Sequence, residues 1–211
     1  MNYGGVAVSR DAITIYEDSA FRNGLWAIDI SAEEAYVIGK SKVRNLTITH
    51  KTGGKGMDLR IQILVREMHG DEDVPEINKL LGQLSSNAEI VTKEDVLRVS
   101  MSSNTHLAVA RDLDAPRNGG FRIVGMATLL EKRQLMGFSG FIEDVVVDEA
   151  YRGHGIAERL NLFLIEIAKM LGMEHLELTS NPKRIAAHKL YDKLGYVDRD
   201  TRVRRLNFLQ K

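Results

Sequence analysis

The stretch AYRGHGIAERL, residues 150–160, sets Arg152 ahead of two glycines one residue apart, Gly153 and Gly155, and then starts an apolar pattern of helical period. A glycine inside a helix costs about 0.5–1 kcal/mol relative to alanine, so glycines where a helix begins imply a gain elsewhere. The usual gain is close approach of the main chain to a ligand. That ligand is most often a phosphate, drawn by free N–H groups and the positive end of the helix dipole. Two common phosphate cradles do not fit. A dinucleotide-binding loop needs a third glycine where Glu158 stands, and a P-loop needs Gly-Lys-Ser/Thr after a four-residue gap. GGKG at residues 53–56 fails as well, because MDLR follows it rather than a helix start. What remains is Arg-x-x-Gly-x-Ala, carried by Arg152, Gly155 and Ala157 at a strand-to-helix junction. A tight turn without a ligand would use the same glycines.

The elements that must hold this loop can be read from their periods. GFIEDVVVD, ahead of it, is a strand of high β-propensity. By strict alternation Glu143 shares a face with Phe141, Val145 and Val147, and Asp144 faces the other way. After the loop, Ile156, Leu160, Phe163, Leu164, Ile167 and Leu171 recur at helical spacing, with Gly172 as a C-terminal cap. MEHLELTS then reads as a strand. A late helix follows, with Asn181 as N-cap, Pro182 in its first turn, and Ala187, Leu190, Tyr191 and Leu194 on one face. DTRVRRLNF is predicted as a last strand.

Upstream, RIQILVREM alternates as a strand and DVPEINKLLGQLS looks helical. TKEDVLRVSMSS opens a helix with Thr92 and Asp95 at capping-box spacing. THLAVARD and FRIVGMATLLEKR are two strands joined by the loop LDAPRNGG. Before residue 59 come four β-prone runs, AITIYE, GLWAIDI, AYVIGKS and NLTITH, and then KTGGKGMD as a linker. The expectation is a β-rich extension over residues 1–58 and a mixed α/β domain over residues 59–211. The extension is too short to be stable alone, so it is expected to dock on the rest or on a second subunit.

In that element order the motif resembles the acyl-CoA N-acyltransferase superfamily, GNAT, whose signature is Gln/Arg-x-x-Gly-x-Gly/Ala. A second block, RIAAHKLYDKLGY over residues 184–196, is similar to the family's late helix with its Tyr-x-x-x-Gly-Tyr/Phe ending. The stretch GFIEDVVVDEAYRGHGIA looks especially like glucosamine-6-phosphate N-acetyltransferases and bacterial small-amine acetyltransferases. The resemblance begins near Arg60 and runs to the C-terminus. It implies a central, mostly antiparallel sheet flanked by helices, splayed between FIEDVVV and HLELTS to admit a cofactor.

The resemblance also implies acetyl transfer from acetyl-CoA, as co-substrate, to a primary amine by direct attack. On this carry-over the main-chain N–H groups of Arg152, Gly153, His154, Gly155, Ile156 and Ala157 hold the pyrophosphate. Those of Val145, Val146 and Val147, on a bulged strand, meet the pantetheine arm and the thioester carbonyl. Three valines equally describe a plain buried strand. Glu143 is the first candidate for the base, with Glu177 on the next strand as the alternative, and a partly exposed strand acid is the plain reading of Glu143. Tyr191, with a phenol of ordinary pKa about 10, suits protonation of a thiolate leaving group. A core tyrosine on that face is the plain reading. Asn181 is a cofactor contact from the end of its strand, Arg184 could reach a phosphate, and His188 is structural. His154 needs no catalytic role.

Composition sets the outer limits. The chain has 211 residues, 29 basic and 29 acidic, and zero net charge does not suggest a nucleic-acid binder. Cysteine is absent, which removes disulfides, thiolate metal sites and a cysteine nucleophile. The six histidines have no ligand spacing, so no metal is expected. No apolar run reaches a membrane span and the N-terminus is not a signal peptide, so a cytoplasmic protein is expected. Arg202, Arg204 and Arg205 form a small basic patch. The acceptor could be a small-molecule or peptide amine, and the family together with the extra segment allows a homodimer. A non-catalytic acyl-CoA-binding module with a partner on the N-terminal segment, which holds the lone Trp26, is the alternative.

Overall fold

The computed structural model describes residues 6–8, 13–17, 46–50, 57–65, 71–117 and 120–208. The chain falls into two units, Met1–Thr179 and Ser180–Lys211. The first is built on one sheet of eight strands in chain order. These are β1 (Val6–Val8), β2 (Ile13–Glu17), β3 (Leu46–His50), β4 (Leu59–Ile63), β5 (Thr105–Arg117), β6 (Gly120–Gln134), β7 (Gly137–Val147) and β8 (Leu176–Leu178). Neighbours run antiparallel except β2/β3 and β7/β8. The expected mixed, mostly antiparallel sheet is therefore present. The runs GLWAIDI and AYVIGKS, and residues 51–56 of the linker, lie outside the described residues.

Alternation along the central strands makes two cores. Ala108, Ala110, Leu129 and Ile142 face helix α3 (Ile156–Met170), which buries Ile156, Leu160, Phe163, Leu164 and Ile167 against them. Leu107, Val109, Ile123 and Met126 face helices α1 (Asp73–Leu84) and α2 (Lys93–Met101), through Ile77, Leu80 and Val96. The Thr92–Asp95 capping box closes the start of α2, with the Asp95 N–H donating to Thr92 Oγ1 at 3.2 Å. Gly172 ends α3 at φ 76°, and the Met173 N–H returns to Ala168 O at 3.0 Å. Gly125 lets the first turn of α3 approach the sheet. A Cβ there would lie 3.2 Å from Ile156 Cγ2 and 3.3 Å from Leu160 Cδ1.

A buried ion cluster ties α1 to the hairpin of β5 and β6. Arg111 donates to both oxygens of Asp73 at 3.0 and 2.8 Å, and Arg117 also reaches Asp73. Asp73 is 0% exposed. Burial would raise its carboxyl, but the hydrogen bonds and charges of Arg111 and then Arg117 hold it below the ordinary value.

Three expectations are corrected. Most of LDAPRNGG is strand, because β5 runs to Arg117 and β6 starts at Gly120, with irregular register absorbing the extra residues. The predicted last strand, residues 200–208, is exposed chain without a ladder among the described residues. Adjacent Arg204 and Arg205 interrupt its alternation. In the second unit the late helix α4 spans Ile185–Lys193, so Asn181 does not cap it. Instead Asn181 Oδ1 accepts the Lys183 N–H at 2.9 Å, a side-chain turn that competes with helix initiation.

Candidate active site

β7 determines the geometry. Between two paired positions β6 moves from Met126 to Thr128, two residues, whereas β7 moves from Val146 to Glu143, three. One extra residue therefore sits in β7. Asp144 takes up the bend at φ 52°, the one non-glycine residue in the left-handed region among those described.

The bulge reverses the side-chain parity. Leu129 pairs with Ile142, and both face α3; Met126 pairs with Val146, and both face α1 and α2. Thr128, two residues from Met126, shares its face, and Glu143 opposite Thr128 does so too. Val145 and Val147 pack on the α3 side. The expectation that Glu143 shares a face with Phe141, Val145 and Val147 therefore holds only for Phe141, since the extra residue rotates the two valines away.

The same strand opens an edge. β8 pairs with Gly140, Phe141 and Ile142 and no further, so from Glu143 onward the outer edge of β7 carries no strand among the described residues. The Asp148 N–H donates to Val124 O at 2.9 Å, which turns the main chain of Asp148 and Val146 toward β6 and that of Val147 and Val145 outward. Arg152 Nε donates to the outward Val147 carbonyl at 3.3 Å.

Glu143 is half-buried. Burial, and then the neighbouring charge of Asp144, push its carboxyl above the ordinary value. Asp144 is exposed as a residue, but desolvation where its carboxyl meets the protein raises it as well. No cation pairs with either carboxylate among the described residues. Glu177, the alternative base, faces Lys132 Nζ at 3.5 Å.

From the end of β7 the chain makes one 3-10 turn, Glu149–Tyr151, before the glycines. Gly153 and Gly155 have φ 84° and 72°, and Gly155 is the N-cap of α3 with no side-chain cap. A Cβ on either would meet nothing within 4 Å, so the glycines are required by backbone conformation and not by crowding from the protein. The N–H groups of Gly153, His154, Gly155, Ile156 and Ala157 have no acceptor among the described residues. His154 Nδ1 lies 3.2 Å from Tyr151 O and 3.1 Å from Arg152 O, folding its ring onto the loop. Asn161, sealed from solvent, donates to Ala157 O at 2.8 Å and steadies the first turn. Free amides, open space and a helix start together fit an anion such as a pyrophosphate.

The second unit holds Asn181, Arg184, His188 and Tyr191. His188 Nε2 is 3.0 Å from Asn181 O. Tyr191 is half-buried and packs edge-on against Tyr196, with ring centroids 5.8 Å apart. Burial, then the proximity of Tyr191, push the Tyr196 phenol up to about 12.

The bulge at Asp144 and the anchoring of the loop by Asp148 escape the strict alternation of GFIEDVVVD. An aspartate ahead of a short turn is a capping signal, but its partner on α1 is remote in sequence.

Comparison with known proteins bears on the family and the fold. Residues 88–196 match the model of the family described as Acetyltransferase (GNAT) family. A protein of Oryza sativa subsp. japonica named probable glucosamine 6-phosphate N-acetyltransferase 2 is 29% identical over 144 residues, 65% of this chain and 83% of its own length. The glucosamine 6-phosphate N-acetyltransferase of Trypanosoma brucei brucei is 36% identical over 86 residues, 39% of this chain and 56% of its own length. The crystal structure of a Trypanosoma brucei acetyltransferase superposes with a TM-score of 0.56 at 27% identity, covering 71% of this chain and 100% of the other. That of the Arabidopsis thaliana glucosamine-6-phosphate N-acetyltransferase shares the fold, with a TM-score of 0.55 at 19% identity over 70% of this chain and 97% of its own.

Proposed function

The chain belongs to the acetyltransferase (GNAT) family, and on that premise we propose that it moves an acetyl group from acetyl-CoA to a primary amine by direct attack in a ternary complex. The observation that carries this reading is the bulged edge of β7, open among the described residues, leading into a helix start whose amides have no acceptor among those residues. Acetyl-CoA supplies the activated acetyl thioester. The N–H groups of Gly153, His154, Gly155, Ile156 and Ala157, with Arg152 beside them, bind its pyrophosphate. The outward main chain of Val145 and Val147 pairs with its extended arm. An N–H on this edge polarises the thioester carbonyl, an interaction of the type worth about 2.7–4 kcal/mol in acyl transfer.

Glu143 takes the proton from the acceptor ammonium, directly or through one water, and leaves a neutral amine to attack. Its raised carboxyl lies closer to the working pH than an ordinary glutamate, and among the described residues it has no competing cation as Glu177 has in Lys132. Tyr191 protonates the departing thiolate, and Asn181 contacts the cofactor. With no cysteine in the chain, no thioester forms on a cysteine of the enzyme. The names of the relatives make glucosamine 6-phosphate the first acceptor to test, ahead of other small amines. Homodimerisation and a cytoplasmic location accompany this reading as proposals. No described helix is long and apolar enough to cross a membrane.

The test is release of CoA thiol on addition of amine. Because the chain has no cysteine, a thiol reagent reads only the product. Amine-dependent release is expected, and Tyr191→Phe is expected to lower kcat by about 10²–10⁴-fold with acetyl-CoA affinity nearly intact. Unchanged turnover in that variant removes Tyr191 as the acid; no release with any amine removes the reaction.

A further inference from the structure

The loop that begins the acyl-CoA site is tied to a helix on the other face of the sheet. Asp148, 3% exposed, directly follows β7 and uses both carboxylate oxygens. Oδ1 accepts the Ala150 N–H at 3.1 Å and caps the 3-10 turn. Oδ2 meets Lys79 Nζ of α1 at 2.5 Å. One turn along α1, Gln83 Oε1 accepts the Glu149 N–H at 2.9 Å. The main chain is held from the sheet as well, because the Asp148 N–H donates to Val124 O and the Tyr151 N–H returns to Asp148 O at 2.8 Å. Lys79 and Gln83, spaced i and i+4, therefore grip the two residues from which Arg152–Ala157 hang.

None of these side chains lies among the amides assigned to the pyrophosphate, so their contribution is placement. We propose that Asp148, held by Lys79 and supported by Gln83, is a positioning residue that fixes the direction of the 152–157 amides and so sets the affinity for acetyl-CoA. This rests on the acyl-CoA reading of that loop. Lys79 is the informative side to change, because it is 56% exposed as a side chain and its removal leaves the buried cap of Asp148 in place. The geometry also explains why an aspartate stands here. An asparagine could still accept from the Ala150 N–H, but it would lose the charged bond to Lys79.

The experiment compares the full-length chain with Lys79→Met, Lys79→Arg and Asp148→Asn. Acetyl-CoA binding is followed by calorimetry, and amide exchange is followed over a peptide spanning residues 148–152 in the free protein. Lys79→Met and Asp148→Asn are expected to raise Kd and KM for acetyl-CoA by three- to tenfold with kcat within twofold. Both should exchange residues 148–152 faster, and Lys79→Arg should restore both properties. Wild-type affinity together with wild-type exchange in Lys79→Met overturns the positioning role. Equal loss in kcat and in thermal stability, without a change in KM, overturns it in favour of a structural one. An intact chain that fails to bind acetyl-CoA removes the acyl-CoA reading and this proposal with it, whereas the exchange measurement separates the latch from the ligand.

Discussion

Replacing Gly155 tests whether the loop depends on a left-handed residue. At φ 72° and ψ 12° Gly155 occupies the αL region, and a Cβ there meets no heavy atom within 4 Å. Steric repulsion from the protein is therefore absent, and the penalty comes from the local backbone. An L-residue in αL costs about 1–2 kcal/mol. Against this, alanine lowers the entropy of the unfolded chain, worth about 0.4–1 kcal/mol. The net expectation for Gly155→Ala is a loss of about 1 kcal/mol, which for a chain of this size is about 2–4 °C in Tm. Asparagine, which tolerates αL, should fall between glycine and alanine, and valine should be worst. Urea unfolding with an unchanged m-value reads the difference as native-state strain. If Gly155→Ala is as stable as the parent, or the order of asparagine and valine is reversed, the conformational reasoning is refuted.

Three further outcomes follow from particular contacts. Glu143→Gln should lower kcat by about 10²–10⁴-fold and abolish the acid limb of the pH profile, which in the parent should lie above the ordinary glutamate range because the carboxyl is raised. Activity in the parent is thus lost as pH falls through that pKa, and a profile unaltered by the substitution would clear Glu143 of the role. Phe163→Ala removes a ring 1% exposed between α3 and the sheet and should cost about 3–5 kcal/mol in urea unfolding. Asp73→Asn leaves Arg111 without its buried counter-charge, while Arg117 keeps Glu72 and Glu76, and should cost about 3–5 kcal/mol. Since the folded pKa of Asp73 is depressed, its contribution is present above the unfolded carboxylate value of about 3.9 and is lost as pH falls further; a stability curve flat through that acid range in the parent would contradict it.

Much of the fold follows from local pattern. The apolar stripe of α3 and the αL glycine after it, like the capping box of α2, are local signals, and each is realised as read. The β7 site was only half legible. Its strand and its acids are plain in GFIEDVVVD, but the bulge depends on register against β6, and one extra residue is enough to turn Val145 and Val147 away from the face of Glu143. Asn181 misled because the same side chain that caps helices also bonds the N–H two residues on, and here the turn prevails. The segment at residues 200–208 has strand-forming residues but no ladder among the described residues, which propensity alone cannot supply. Lys79 and Asp148 are 69 residues apart, so only the packing of α1 over the sheet brings them together.

The most direct measurement is calorimetric titration of acetyl-CoA into the purified full-length chain, with desulfo-CoA and a Gly155→Glu variant alongside. Micromolar binding of both ligands by the parent, lost in the variant while its fold is retained, is expected if residues 152–157 hold the pyrophosphate. Absence of binding to the parent, or equal binding by the variant, would contradict that assignment.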